Sequence, residues 1–151
     1  MRKRLSLGLP AVLLCVVPCF AEMHVTAKNW KEMQTYDVRT LAPVMANHNR
    51  DLVALKFTFR GKDIHHMKPN WYESSLWQPD PKGRKGFTDV RVMIAKADLN
   101  AFKGITTDSS SGQELTVYGT ILRDFDSHFV FVRLIGRNVT LDSAGNAIVT
   151  W

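Results

Sequence analysis

From Asp51 onward the chain alternates apolar and polar residues with a period of two. Val53, Leu55, Phe57 and Phe59 share one parity, and Ala54, Lys56, Thr58 and Arg60 the other. This is the pattern of a half-buried strand, ended by Gly61. A second strand is predicted over Trp71 to Trp77, where aromatics surround Ser74 and Ser75. Gln78 to Gly86 holds two prolines, two glycines and three basic residues and reads as a loop. Phe87 to Ala95 alternates again, with Val90, Val92 and Ile94 facing one way and Asp89, Arg91 and Met93 the other. Asp98 to Phe102 predicts one capped helical turn, followed by a polar loop from Thr106 to Gly112. Leu115, Val117 and Ile121 then alternate with Thr116, Tyr118 and Thr120 around a central Gly119, where a bend, a bulge or a close backbone approach is expected. Arg123 to Ser127 turns the chain. Phe129 to Ile135 is apolar on both faces except at Arg133, as expected of a strand covered on both sides. Gly136 permits a kink, Val139 and Leu141 resume the alternation, and Ala147 to Trp151 predicts a short last strand after a turn at Ser143 to Asn146.

The stretch before Asp51 is mixed. Thr26 predicts the cap of a short helix carrying Trp30 and Met33 on one side, and a second helix is predicted around Leu41, Val44 and Met45 with Pro43 in its first turn. Residues 1 to 21 have a different character. A cationic Met1-Arg2-Lys3-Arg4 precedes a run from Leu5 to Phe20 that is apolar apart from Ser6, and Ala21 stands before the polar Glu22. That is the layout of a secretory signal peptide cleaved after Ala21. The run is too short, and too broken by Pro10 and Pro18, for a membrane span.

Removing the leader changes the charge. Of 20 Lys+Arg, three (Arg2, Lys3 and Arg4) leave with it, so against 14 Asp+Glu the net charge falls from +6 to +3. A balance this small predicts solubility and gives little support to a nucleic-acid partner. Cys15 and Cys19 also lie in the leader, so the exported domain has no disulfide. Cys19 suggests lipidation, but the residue before a lipidated cysteine is normally small, and here it is Pro18. Without crosslinks, about 130 residues suffice for one modest core.

Five principal strands with a helical turn between the third and fourth, and a glycine bend in the fourth, follow the order of an OB-fold. The block from Gly112 to Asp142 also resembles the closing strand pair of bacterial exported OB-fold proteins, in Glu114-Leu115-Thr116-Val117-Tyr118-Gly119-Thr120 and Phe129-Val130-Phe131-Val132. The approach from Leu41 to Phe59 is similar, and the resemblance spans residues 38 to 142. It implies a mainly β domain with short helices: a five-stranded Greek-key barrel (β-β-β-α-β-β) over residues 51–151, preceded by an N-terminal helical segment over 22–50. The runner-up is another small β-barrel or an α+β roll.

Candidate chemistry is sparse. Trp71, Tyr72 and Trp77 with Phe87 form an aromatic cluster on the second and third strands, the usual OB-fold binding face, where rings stack on bases or sugars. Trp71 and Trp77 share parity and Tyr72 opposes them. Arg91 is their exposed companion, and Lys82, Arg84 and Lys85 in the intervening loop add positive charge. Against this stands the reading in which the rings plug the barrel. His65-His66 is adjacent and extended, so its rings point to opposite faces. One metal would need further ligands such as Asp63, His24 or His48, and no zinc spacing is present. Arg123-Asp124-Phe125-Asp126 suits an ordinary turn. As a cation-dependent hydrolase it would draw on Asp89, Arg91, Arg123, Asp124 and Asp126, whose spacing matches no nuclease pattern. Ser74-Ser75 and Ser109-Ser110-Ser111 lack a nucleophile elbow, and no phosphate-binding or dinucleotide motif occurs. Asn138-Val139-Thr140 is a glycosylation acceptor only in a eukaryotic secretory route.

The expectation is therefore an exported, monomeric, non-catalytic binding module of the bacterial envelope, periplasmic or secreted, with no cofactor and no metal. Its ligand-binding residues would be Trp71, Tyr72, Trp77, Arg91, Lys82, Arg84 and Lys85, for an oligosaccharide, peptide or nucleic acid. The alternatives are an assembly protein that docks on an envelope partner through an exposed strand edge or an apolar patch around Trp30 and Met33, and a cation-dependent, nuclease-like hydrolase.

Overall fold

The computed structural model describes residues 22–82, 86–105, 112–124 and 129–151; the leader, Arg84, Lys85 and Asp126 lie outside them. The described chain opens with β1 (Met23–Val25) and α1 (Ala27–Glu32). The Thr26 hydroxyl caps α1 by accepting from the Asn29 N–H at 3.3 Å. β2 (Gln34–Asp37) runs into α2 (Val38–Leu41), closed by a reciprocal capping box between Asp37 and Thr40. The second helix thus starts earlier than its apolar spacing predicts. It stops before Pro43, which has no N–H to offer a helix already under way, and a 3-10 turn follows at Met45–Asn47. Residues 22–50, expected to be helical, also supply two strands.

β3 (Leu52–Phe57) and β4 (Phe59–Arg60) are separated by Thr58 alone, and β5 (His65–Lys68) leads to the long hairpin of β6 (Trp71–Pro79) and β7 (Phe87–Ala95). A 3-10 turn at Lys96–Asp98 and α3 (Leu99–Gly104) precede β8 (Leu115–Arg123), β9 (Val130–Gly136), β10 (Asn138–Leu141) and β11 (Ala147–Thr150). β3, β6, β7, β8 and β9 are the longest strands and match the five principal strands expected from the sequence. Asp98 is not the expected cap. It makes no capping hydrogen bond and is buried, 4% exposed.

The protein is mainly β. One sheet runs β2-β3-β8-β9-β7-β6-β4 with β5 also on β6, and a second runs β1-β11-β10. β7 pairs with β9 in parallel through Val92↔Val132, while β3-β8, β8-β9 and β6-β7 are antiparallel. The first, third and fourth principal strands therefore share one sheet. The single closed ring of five strands that the pattern implied is not what forms: the path is open, ending at β2 and β4. The physical reason is that β2 takes the outer edge of β3 in parallel register, Gln34↔Val53 to Asp37↔Lys56. The chain then reaches β6 only past Thr58, whose N–H donates to the Trp77 carbonyl at 3.0 Å, and through the two-residue β4.

One face of the large sheet carries the core: Val53, Leu55 and Phe57 of β3, Leu76 of β6, Val90, Val92 and Ile94 of β7, Val117 and Ile121 of β8, and Val132 and Leu134 of β9. Each such side chain contributes about 1.5–3 kcal/mol on burial. Val38 and Leu41 of α2 and Phe102 of α3 complete it. The small sheet buries Val25, Ala147 and Val149 against Ile135 on the other face, with the Trp30 ring tilted against Tyr118 at 5.2 Å. β9 is thus covered on both sides, as its doubly apolar pattern required.

Candidate functional site

β6 sorts its side chains by parity. Leu76, Ser74 and Gln78 turn inward and are buried, whereas Glu73, Ser75 and Trp77 face outward. Register transmits that sorting across the hairpin. Trp77 stands opposite Asp89, Ser75 opposite Arg91 and Glu73 opposite Met93, so the outward residues of β7 join the same surface. On the other flank Phe59 stands opposite Trp77 and His65 opposite Glu73. The result is a groove of about 830 Å³ over β4, β5, β6 and β7, within the size range of small-ligand sites.

Its apolar element is a shelf of three rings. Phe87 packs on Trp77 with centroids 5.6 Å apart and meets Phe59 edge-on at 5.7 Å. Trp77 and Phe87 are 36% and 56% exposed, too open for rings placed only to fill a core. The Trp77 indole N–H donates to Ser75 Oγ, which fixes the ring in place. Gly61 lets the chain pass close to β6: its N–H donates to the Ser75 carbonyl at 2.7 Å, and a Cβ there would meet Ser75 Oγ at 2.5 Å. The groove's charges are mixed, with Arg60, Lys62 and Arg91 against Asp63, Glu73 and Asp89.

The structure divides the residues singled out in the sequence. Trp77 and Arg91 come together in the groove. Trp71 shares Trp77's face but lies six residues along the strand, about 20 Å away. It borders a separate hollow with Asn70, Lys96 and Arg133, and the Arg133 guanidinium sits over its ring at 4.9 Å. Tyr72 has the opposite parity, packs against the core and meets His66 at 5.3 Å. Lys82 is exposed in the β6–β7 connection, where its N–H donates to Asp80 Oδ1 at 2.8 Å, and it does not line the groove.

Phe59 is the lining residue that the alternation misplaced. Read as a continuation of Val53-Leu55-Phe57 it should point inward, but the break at Thr58 moves it to the outer face opposite Trp77. Arg60 inherits the inward parity. Its Nε donates to the Ile105 carbonyl at 3.0 Å and its guanidinium covers Phe102 at 5.6 Å. The signal that could have found Phe59 is the pair Thr58 and Gly61, polar and small residues bracketing a strand end.

The hydrolase candidates do not converge. Asp89 and Arg91 line the groove, whereas Arg123 and Asp124 border a hollow with Met67, Lys68 and Met93. His48 Nδ1 pairs with Asp51 Oδ2 at 2.9 Å, and His65 stands on β5. No group of three or more His, Cys, Asp and Glu residues suited to a metal occurs among the described residues. Trp30 is half-buried against the small sheet, so it forms no open apolar patch with Met33.

Neither a family model nor a curated protein matches the chain. It is similar to a solved structure from Klebsiella pneumoniae subsp. pneumoniae named a "putative nucleic acid-binding lipoprotein", at 14% identity and a TM-score of 0.44, over 70% of this chain and 92% of that one. Likeness at that level transfers neither fold nor ligand. No helix among the described residues is long and apolar enough to cross a membrane.

Proposed function

We propose that the protein is an exported, non-catalytic binding module whose ligand lies in the groove over β4, β6 and β7. The observation that carries this reading is the shelf of Trp77, Phe87 and Phe59, left open in a groove of ligand size. Contiguous exposed rings rimmed by charged residues are what a binding surface looks like when it is empty.

The strand path supports an OB-fold-like reading of the large sheet. β3, β6, β7, β8 and β9 follow one another with α3 between the third and fourth, β7 and β9 are parallel, and β4 continues β3 onto β6. In such folds the second and third strands bear the ligand, and here those are β6 and β7. Export rests on the leader over residues 1–21 with cleavage after Ala21, which sends a monomeric domain to the periplasm or beyond.

Native mass spectrometry of the protein purified from its own envelope tests the reading. The wild type should carry a bound molecule that both Trp77→Ala and Phe87→Ala lose. Phe87→Ala should shift stability by no more than about 0.5 kcal/mol, the usual range for an exposed site. Tyr72→Ala should instead unfold more readily, because its ring packs on the core. Unfolding of both groove variants, or retention of the bound molecule by both, would refute the proposal.

A further inference from the structure

The groove's charges are unequal in availability, and that inequality selects a ligand class. Two of its three cations are already engaged. Arg60 is turned to the Ile105 and Gly61 carbonyls at 3.0 and 3.2 Å. Arg91 is held by Glu73 at 3.5 Å and lies over Phe129 at 4.3 Å. The carboxylates of Asp63 and Asp89 have no ion-pair partner among the described residues, and both side chains are exposed. Lys62 is the one lining cation in the same condition. The shelf is therefore flanked by open acceptors, with Asp89 directly across the ladder from Trp77.

We infer that the groove binds a neutral oligosaccharide, a deepening that rests on the binding-module reading above. A pyranose has an apolar C–H face that lies flat on an aromatic ring and hydroxyl donors around its edge. Ionised carboxylates beside the ring accept those hydroxyls in charge-assisted hydrogen bonds, the stronger kind. The indole pinned by Ser75 supplies a surface that loses little freedom on binding. A polyphosphate fits badly: its affinity comes from cations that release counterions, and here it would meet Asp63 and Asp89. An extended peptide also fits badly. β6 is paired with β7 along its whole length and with β4, β5 and Gly61 on its other side, so the strand that carries Trp77 has no open backbone edge for strand addition.

Calorimetric titration of the exported domain distinguishes the classes. The probes are tetramers of β-1,4-linked N-acetylglucosamine, β-1,4-linked glucose and α-1,4-linked glucose, beside a thymidine octanucleotide and an octapeptide of mixed charge. At least one tetramer should bind. Trp77→Ala or Phe87→Ala should weaken it about tenfold, the equivalent of about 1.4 kcal/mol, and Asp89→Asn several-fold. Affinity should change less than about twofold between about 50 and 200 mM salt, where a phosphate-binding protein loses orders of magnitude. Binding of the octanucleotide or the peptide that depends on Trp77, with no tetramer bound, would overturn the oligosaccharide inference and leave the binding module standing. Tetramer binding indifferent to all three substitutions, or no binding of any tetramer, would also overturn it. Failure of the module itself is read separately, in the envelope-purified protein.

Discussion

Asp98 begins the helical turn after β7, where an aspartate is ordinarily a cap, yet its carboxyl is buried and makes no capping hydrogen bond. Burial pushes the Asp98 carboxyl above its usual range, opposed by the Trp151 indole and by Arg133. Asp98→Asn, which keeps the shape and removes the charge that burial disfavours, should therefore raise the urea denaturation midpoint at neutral pH. A loss of stability would show that the carboxylate is needed as it stands. The sequence announces an aspartate before Leu99 and nothing more, because capping and burial differ by one rotation of backbone dihedrals. Trp77 and Arg91 were legible for the opposite reason: a strand's parity leaves only two faces, and each residue falls on one of them. Tyr72, read with them as a ligand-binding ring, falls instead on the opposite face of β6 and packs against the core.

Within β8, Gly119 illustrates how an element can demand one residue type. The register with β9 shifts between Tyr118 and Gly119, and a Cβ at 119 would meet Val132 Cγ1 at 2.5 Å and the Arg133 carbonyl oxygen at 2.7 Å. A side-chain methyl can give way, but a strand carbonyl held in a ladder cannot. Gly119→Ala should cost about 1–3 kcal/mol, the usual penalty of overpacking, seen as a lower denaturation midpoint with an unchanged slope. A neutral substitution would mean that the two strands are less tightly apposed. The long strands were legible because β3, β7 and β8 repeat the alternation several times, β6 is rich in aromatics, and β9 is a run of seven residues apolar at all but Arg133. β1, β2, β4 and β5 hold two to four residues apiece, too few for a period to register, and β2 is recruited by the edge of β3 rather than by any apolar pattern of its own. That recruitment is also why the sheet stays open where the strand order alone suggested a ring.

For the molecule as a whole, three aspartates among the described residues have carboxyls shifted from their usual range and bear on the response to acid. Arg39 beside it holds the Asp37 carboxyl below its usual range, and bonds from the Asn146 side chain and N–H do the same for Asp142 in the β10–β11 turn. Below about pH 3.8 the unfolded chain takes up those two protons before the folded one does, so stability falls as pH drops further. Asp98 works in the other direction. Above 3.8, up to its raised value, the folded protein keeps a proton that the unfolded chain has released, so stability declines as pH rises. The denaturation midpoint should therefore peak in mild acid, and Asp98→Asn should flatten the high-pH side of that peak while leaving the acid limb intact. An unaltered profile would remove Asp98 from the account. The small sheet carries a consequence of another kind. β1 is joined to β11 through Met23↔Val149, His24↔Ile148 and Val25↔Ala147, so a strand made early waits for one made late. While the chain is still being synthesised, Ile135 and Tyr118 keep a wet flank, and that flank dries only when the far segment arrives. Closing so long a loop is slow, which makes this corner the place where a chaperone or a protease would first meet the newborn protein.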